Sequence, residues 1–319
     1  MLVKKTVSLA LRVGLVGACL VYAFWGVNFR ELGGAFARFD ATALVVSTLF
    51  SFLGWGAMAL RMHFLSGYTC GNWVGLKAFV LSMAVNNVVP AKLGELAKAF
   101  YLRKECGYSL SQSISMVFWE RFFDLNAILA MGLVVAFHFK LKMAFFPLAV
   151  GVGSIWACLF FVRKWPEKAE KIIALVPVAR LREFIYEVKL QLVHGVTLRY
   201  LIGLGFYTAL VWALYAIPTF MVISWVAGLQ LTMGQILAVF ILSALGMAMP
   251  SSPGSVGVFE AAVIFGLGLF KVDKELALAI GLVIHMMQYI PTTVTGLMVL
   301  AKSGLSLRNL RRSGEGLDA

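Results

Sequence analysis

Apolar residues run almost unbroken along this chain, in blocks longer than a soluble helix or strand needs, with the polar residues gathered between them. A bilayer core of about 30 Å takes about 20 apolar residues in helical conformation. Blocks of that length lie at residues 6–28, 41–60, 111–137, 143–162, 200–227 and 275–301, which predicts six full spans. Two further runs, 74–89 and 234–249, have only 16 residues each. At 1.5 Å per residue they reach about 24 Å, short of a crossing. Each ends in helix breakers, Pro90-Ala-Lys-Leu-Gly94-Glu95 and Pro250-Ser-Ser-Pro-Gly-Ser-Val-Gly257, and each is followed by a second short helical stretch, 95–104 and 257–270. Short, Pro/Gly-interrupted segments in corresponding places of two halves predict discontinuous or re-entrant helices. The expected fold class is therefore an all-α polytopic membrane protein with about six full spans plus two re-entrant helical hairpins in an inverted-repeat arrangement. Its predicted parts are a first membrane half, 1–162, with a hairpin at 74–104; a linker, 163–199; a second half, 200–303, with a hairpin at 234–270; and a basic tail, 304–319.

Composition narrows the function. Of 319 residues, 61% are hydrophobic and only 13% charged, and the mean hydropathy is +0.88. So few charges cannot cover a water-facing surface, which excludes a soluble enzyme, a disordered tail and an ordinary nucleic-acid-binding domain. The net charge of +13 then reads as basic loops held at the cytoplasmic face beside anionic lipid, with no nucleic-acid partner. If both hairpins return to the side they enter from, 21 of the 28 basic residues collect on one side, six on the other, and Arg121 lies within a span. Counting each short run as a single crossing would instead place Arg163, Lys164, Lys168, Lys171 and their neighbours outside, against that bias. The expected location is the inner membrane, multi-pass, with both termini cytoplasmic and the hairpins opening to opposite faces. Within the linker, Leu181, Phe184, Ile185, Val188 and Leu192 recur at helical spacing, which predicts an amphipathic helix along the interface and a tether between the halves.

Ionisable side chains inside a span cost about 2.5–3.5 kcal/mol each on insertion scales, so they face a partner or a cavity. The densest group is Trp119-Glu120-Arg121-Phe-Phe-Asp124, in a helix that a Ser109-x-x-Gln112 capping box is expected to start. Glu120 and Asp124 share a face, and Arg121 is i,i+3 from Asp124. Arg121 is expected to pair with at least one of Glu120, Asp124 or Glu95. The group reads equally as a neutral brace to the hairpin bearing Lys92 and Glu95, or as a functional cluster. Glu95 and Glu260 occupy corresponding hairpins, and read either as acids favoured at a helix N-terminus or as proton-coupling or headgroup-gating carboxylates whose protonation alternates with phosphate binding. Asn86 and Asn87 sit in an apolar run and are expected to bond across helices. Ser251, Ser252, Gly254, Ser255 and Gly257, with Gly94 in the first hairpin, let backbone approach an anion closely, or serve a tight turn. His285 and Gln288 read as packing polar groups. No metal-ligand or nucleophile motif is present, and Cys19, Cys70, Cys106 and Cys158 show neither zinc spacing nor a disulfide frame. No cofactor, metal or enzymatic activity is expected.

Three motifs, in this order and spacing, carry a resemblance: N-N-x-x-P-x-K-x-G-E from Asn86 to Glu95, W-E-R-F-F-D from Trp119 to Asp124, and P-S-S-P-G-S-V-G-x-F-E from Pro250 to Glu260. Together they resemble the flippase-like transmembrane domain of lysylphosphatidylglycerol synthases. The resemblance covers nearly the whole chain and implies a polytopic domain that moves or binds a lipid with a bulky polar headgroup. Where the family commonly has Arg in the first motif this chain has Lys92, which keeps the charge and loses bidentate phosphate geometry. The 319 residues hold no soluble aminoacyl-transfer part, so a stand-alone member is expected rather than a lipid-aminoacylating one.

The expected function is binding and translocation of an anionic or zwitterionic membrane lipid. The N-termini of the second hairpin helices would converge on its phosphate, with Lys92 or Arg121 as counter-charge. Two rivals stay open: an ion-coupled carrier of a small polar solute using Glu95, Glu120, Asp124 and Glu260, and a non-transporting membrane partner of a lipid-modifying transferase. A homo-oligomer is a further candidate assembly.

Overall fold

The computed structural model describes residues 14–89, 93–190, 192–193, 197–249 and 252–305. Pro90, Lys92, Pro250, Ser251, the start of the predicted first span and most of the predicted tail lie outside the described residues. Among the described residues the chain is helical without strands. In order the helices are α1 (Gly14–Phe24), α2 (Phe29–Ala37), α3 (Ala41–Leu65), α4 (Asn72–Val88), α5 (Gly94–Cys106), α6 (Leu110–His138), α7 (Lys142–Lys164), α8 (Pro166–Ala174), α9 (Ala179–Leu190), α10 (Leu198–Met221), α11 (Met233–Ala248), α12 (Val258–Gly268) and α13 (Lys274–Ser303). Five of these, α3, α6, α7, α13 and α10 with its π-helical extension to Val226, are long and apolar enough to cross a membrane. This is a polytopic all-α membrane protein. The capping box at Ser109 is present: its hydroxyl accepts from the Gln112 amide, and Gln112 accepts in return from the Ser109 amide.

Helix packing shows a two-fold pattern. Contacts join α3 to α4 and α10, α4 to α5 and α13, α5 to α6, α6 to α10 and α11, α11 to α12, and α12 to α13. Exchanging α3 with α10, α4 with α11, α5 with α12 and α6 with α13 turns α4–α13 into α11–α6, α3–α4 into α10–α11 and α5–α6 into α12–α13. All of these contacts exist. The exchange is an inverted one, because the two short-helix pairs open toward opposite ends. At one end Cys70 and Cys106 form a disulfide, so α4 begins where α5 finishes. Lys104 bonds the Ser303 carbonyl there, and the Tyr200 hydroxyl donates to the Leu65 carbonyl. At the other end Phe139 stacks on Phe270 and the Asp40 amide donates to the Val226 carbonyl, so α11 begins near where α12 finishes.

Close backbone approach explains particular glycines. A Cβ on Gly94 would collide with the Ser82 carbonyl oxygen, and one on Gly296 with the Val80 carbonyl oxygen. Glycine at these positions lets α5 lie against α4, and α4 against α13, as small residues do at membrane helix crossings. The Cys70–Cys106 pair corrects the sequence expectation of unpaired cysteines. Their separation of 36 residues is bridged by the α4–α5 return, which spacing in the sequence does not show. Helix α7 buries none of its side chains; it runs alongside α6, with Phe145 on Phe137 and Trp156 on Phe122 and Phe123, and continues into α8, so it stands at the periphery. The linker forms two helices, α8 and α9, and its Val188 and Leu192 pack into the cluster that holds Trp119 and Leu204.

Candidate functional site

Helix α6 crosses beside α3 and α5, and its Glu120, Arg121 and Asp124 meet charges from those two helices. Arg61 of α3 reaches Glu120 at 2.7 Å and Asp124 at 2.6 Å, and Lys98 of α5 reaches the second oxygen of Glu120 at 2.5 Å. The Trp212 indole N–H of α10 donates to Asp124 at 3.0 Å. Arg61, Lys98 and Glu120 are 1–2% exposed, so these short charge-assisted bonds form in a medium where an unpaired charge would be very costly. Arg121 is different. It touches Glu95 at 3.5 Å, Glu120 at 3.4 Å and Asp124 at 3.4 Å, all three predicted partners, but its side chain is 43% exposed. Three cations thus face three carboxylates. The carboxylates of α6 are already tightly bonded without Arg121.

The exposure of Arg121 is to a cavity of about 470 Å³. Arg61, Arg121, Asp124, Glu95, Asn86 and Asn87 line it from the first repeat, and Trp212, Tyr215, Ser243, Ser252, Gly254, Ser255, His285, Gln288 and Tyr289 from the second. Met83, Phe240, Met247 and Phe259 are among the apolar residues of the wall. One oxygen of Glu95 is buried without a hydrogen-bond partner among the described residues.

The two hairpin tips meet on α13. The Asn87 amide of α4 donates to Thr293 at 2.8 Å, and the Tyr289 hydroxyl donates back to the Asn87 carbonyl at 3.2 Å. From the second hairpin, Glu260 at 2.6 Å and the Gly254 carbonyl at 2.9 Å bond His285 of α13. The helix N-termini are not bare. The Asn86 side chain accepts from the Gly94 amide at 2.8 Å, and Glu260 accepts from the Gly257 amide at 2.7 Å. This corrects the expectation that both N-termini stand open to an anion: part of each set of free N–H groups is already capped from within. Gly254 sits at φ +63 with its α-hydrogen against the Tyr289 ring, where a Cβ would collide. Its glycine is required by that turn, so a bulky substitution there strains the fold rather than only closing an approach.

The structure gathers Asn86, Asn87, Glu95, Arg121, Asp124, Ser252, Gly254 and Ser255 around one cavity, with Glu120 behind Arg121 and Glu260 behind His285. Gly94 and Gly257 serve helix starts. Lys92 and Ser251 lie outside the described residues. Arg61 and Lys98 were missed. Arg61 follows directly on an apolar block and Lys98 lies among other basic residues, so both read as cytoplasmic flank although both are buried. Trp212, Tyr215 and His285 were missed as cavity residues because aromatic and packing polar groups are ordinary in spans.

The family model described as the lysylphosphatidylglycerol synthase TM region matches residues 9–296, which takes in α1 through most of α13 and both hairpins. The chain belongs to this family. A UPF0104 membrane protein of Methanocaldococcus jannaschii is similar to it, 26% identical over 227 residues, which is 67% of this chain and 92% of the relative.

Proposed function

We propose that the protein binds a lipid by its polar, phosphate-bearing headgroup in the central cavity and carries it between leaflets. The observation that supports this reading is Arg121, a guanidinium half-exposed to the cavity through long contacts, while Arg61 and Lys98 hold the neighbouring carboxylates. An entering phosphate can displace the three long contacts of Arg121 while Glu120 and Asp124 stay bonded to Arg61 and Lys98. The unpartnered Glu95 oxygen would accept an N–H or O–H from the rest of the headgroup. A cavity of about 470 Å³ is of a size that suits a headgroup. The acyl chains would stay in the bilayer. The apolar share of the wall, Met83, Met247 and Phe259 among it, favours a lipid over a small ion.

In this reading α4–α5 and α11–α12 are re-entrant hairpins entering from opposite membrane faces, in the manner of carriers with inverted repeats. The end bearing Cys70, Lys104 and the 163–199 linker is cytoplasmic, and the membrane is the cytoplasmic one. No covalent chemistry is assigned to the chain. The test is movement of fluorescent phosphatidylglycerol in proteoliposomes, read by quencher accessibility. Wild-type protein should accelerate it, and Arg121→Gln should remove most of the acceleration while eluting as a folded monodisperse species. Undiminished movement in a folded Arg121→Gln protein would sink the proposal.

A further inference from the structure

Every hydrogen bond around His285 has one allowed direction except one. The Gly254 carbonyl can only accept, so His285 Nε2 must carry a proton for its 2.9 Å contact. The Gly257 amide can only donate, so Glu260 Oε2 is an acceptor. The remaining 2.6 Å contact joins His285 Nδ1 to Glu260 Oε1. It needs one more proton, held as imidazolium with carboxylate or as neutral imidazole with carboxylic acid. The two descriptions contain the same number of protons. Both side chains are nearly buried, at 4% and 2% exposure, so their shared edge faces protein rather than bulk water, with the cavity as the outlet for the proton.

We propose that Glu260 and His285 form a proton-binding latch on the loop that walls the cavity, so that proton loading and release move this loop. With the proton bound, the latch ties α13 to Gly254 and to the start of α12. When the proton leaves to cavity water, neutral imidazole and carboxylate remain. If Nε2 keeps its hydrogen, the Nδ1 lone pair faces a carboxylate oxygen; if Nδ1 keeps it, the Nε2 lone pair faces the Gly254 carbonyl. Either arrangement is repulsive at these distances, and the loop from Ser252 to Gly257 or the imidazole must shift. That loop lines the cavity through Ser252, Gly254 and Ser255. The position of the wall is thereby tied to proton occupancy.

Among the described residues, the ionisable surroundings leave this pair as the proton site on its side of the cavity; α1, whose Leu20 lies against Gly257, carries only Cys19 and Tyr22. Tyr289 of α13 faces the imidazole edge-on at 5.6 Å. Helix α11 carries no ionisable residue, α4 carries only Lys77, ten residues before Asn87, and α2 meets α13 at its far end, near Glu275. Across the cavity stand Glu95, Arg61, Arg121 and Asp124, already joined in ion pairs. As a coupling device the latch rests on the lipid-carrying reading above: release of the proton would accompany entry or exit of the headgroup, drawing transport from a proton gradient. The latch itself rests on geometry alone.

Two measurements separate these claims. In lipid-free detergent, a single cysteine at Ser252→Cys in a cysteine-free background is labelled with a maleimide at a series of pH values. The reference is the same protein with Glu260→Gln. The amide introduced by that substitution can accept from the Gly257 amide and donate to Nδ1, which preserves the loaded bonds without a titratable proton. Labelling relative to this reference should be unity at low pH and rise at least about tenfold as pH increases, in line with the loss of a charge-assisted hydrogen bond. A flat ratio overturns the latch. In proteoliposomes, movement of fluorescent phosphatidylglycerol should respond to an imposed pH gradient in the wild type and lose that response in Glu260→Gln. A pH-dependent latch with gradient-independent lipid movement overturns the coupling. A pH-dependent latch with no lipid movement at all supports the latch and overturns the lipid reading.

Discussion

The two arginines of the charge cluster should behave oppositely when removed. Arg61 is 1% exposed and contacts two carboxylates at 2.6–2.7 Å. In Arg61→Met the side-chain volume is roughly kept and the charge is lost. Glu120 retains Lys98 and Arg121, but Asp124 keeps only the Trp212 indole and the long 3.4 Å contact to Arg121. Three carboxylates then face two cations. Breaking a buried pair by removing one partner costs about 3–5 kcal/mol. At about 2–4 °C of melting temperature per kcal/mol for chains of 150–250 residues, a loss on the order of 10 °C follows. The assay is thermal unfolding in detergent followed by size-exclusion fluorescence, with exposed Arg30→Met as control. Adding Asp124→Asn to Arg61→Met restores the charge balance and keeps an acceptor for Trp212, so the double variant should be more stable than Arg61→Met alone. Arg121→Met should melt within about 1 kcal/mol of wild type, because its contacts are long and half-solvated, of the kind that contribute little. If Arg61→Met melts with the Arg30→Met control, or if Arg121→Met is the more damaging of the two, the division into bracing and ligand-facing arginine is wrong.

Three other outcomes follow from the packing and the topology. Gly296→Ala should sharply reduce folded yield, because its Cβ meets backbone of α4, whereas Gly151→Ala on peripheral α7, with open space around it, should express normally; equal yields would refute the α4–α13 crossing. Gly254→Ala should destabilise by more than the ~1 kcal/mol of a strained backbone, since the Tyr289 ring must also move, and Tyr289→Leu should recover part of the loss in a melting assay. If the basic end is cytoplasmic, the Cys70–Cys106 bond of the structure should be held reduced in cells, with both thiols modified by a maleimide-polyethylene glycol after acid quenching and the bond forming on mild oxidation of the purified protein; a disulfide already present in freshly quenched cells would place that end outside.

The fold was legible because lipid imposes length. An apolar block must be about 20 residues to cross, so the two 16-residue runs with their Pro/Gly ends stood out against the full spans, and the bounds of α4, α5, α11 and α12 fall within a few residues of those read from sequence. Positions 86, 95, 121, 124 and 254 were legible for a related reason: polar, charged and strained residues are costly inside an apolar block and stand out when they occur there. What the sequence could not show was which charge answers which. Arg61 is 59 residues from Glu120 and 63 from Asp124, and Lys98 is 22 from Glu120. No periodicity on one helix reports a partner on another. Arg61 at the end of an apolar block and Lys98 among other basic residues both looked solvated. The same limit hid His285, whose role depends on a carboxylate 25 residues earlier and on a loop carbonyl that exists only once Gly254 adopts positive φ.

That limit also bears on why neutrality and function can share one cluster. A cavity deep in a bilayer that is to accept an anion needs a cation, yet an unopposed cation there would destabilise the empty protein. The arrangement seen here meets both demands by distributing bond lengths. Arg61 and Lys98 hold Glu120 and Asp124 tightly, which fixes α6 against α3 and α5 whether or not a ligand is present. Arg121 is neutralised by three long contacts to the same acids and Glu95, each weak enough to yield to a phosphate. The charge that could bind is therefore neutral when idle, and of the carboxylates it leaves behind Glu120 and Asp124 keep Arg61 and Lys98, while Glu95 is set free to meet the rest of the ligand. A brace alone would not need the third cation, and a binding site alone would not need the first two.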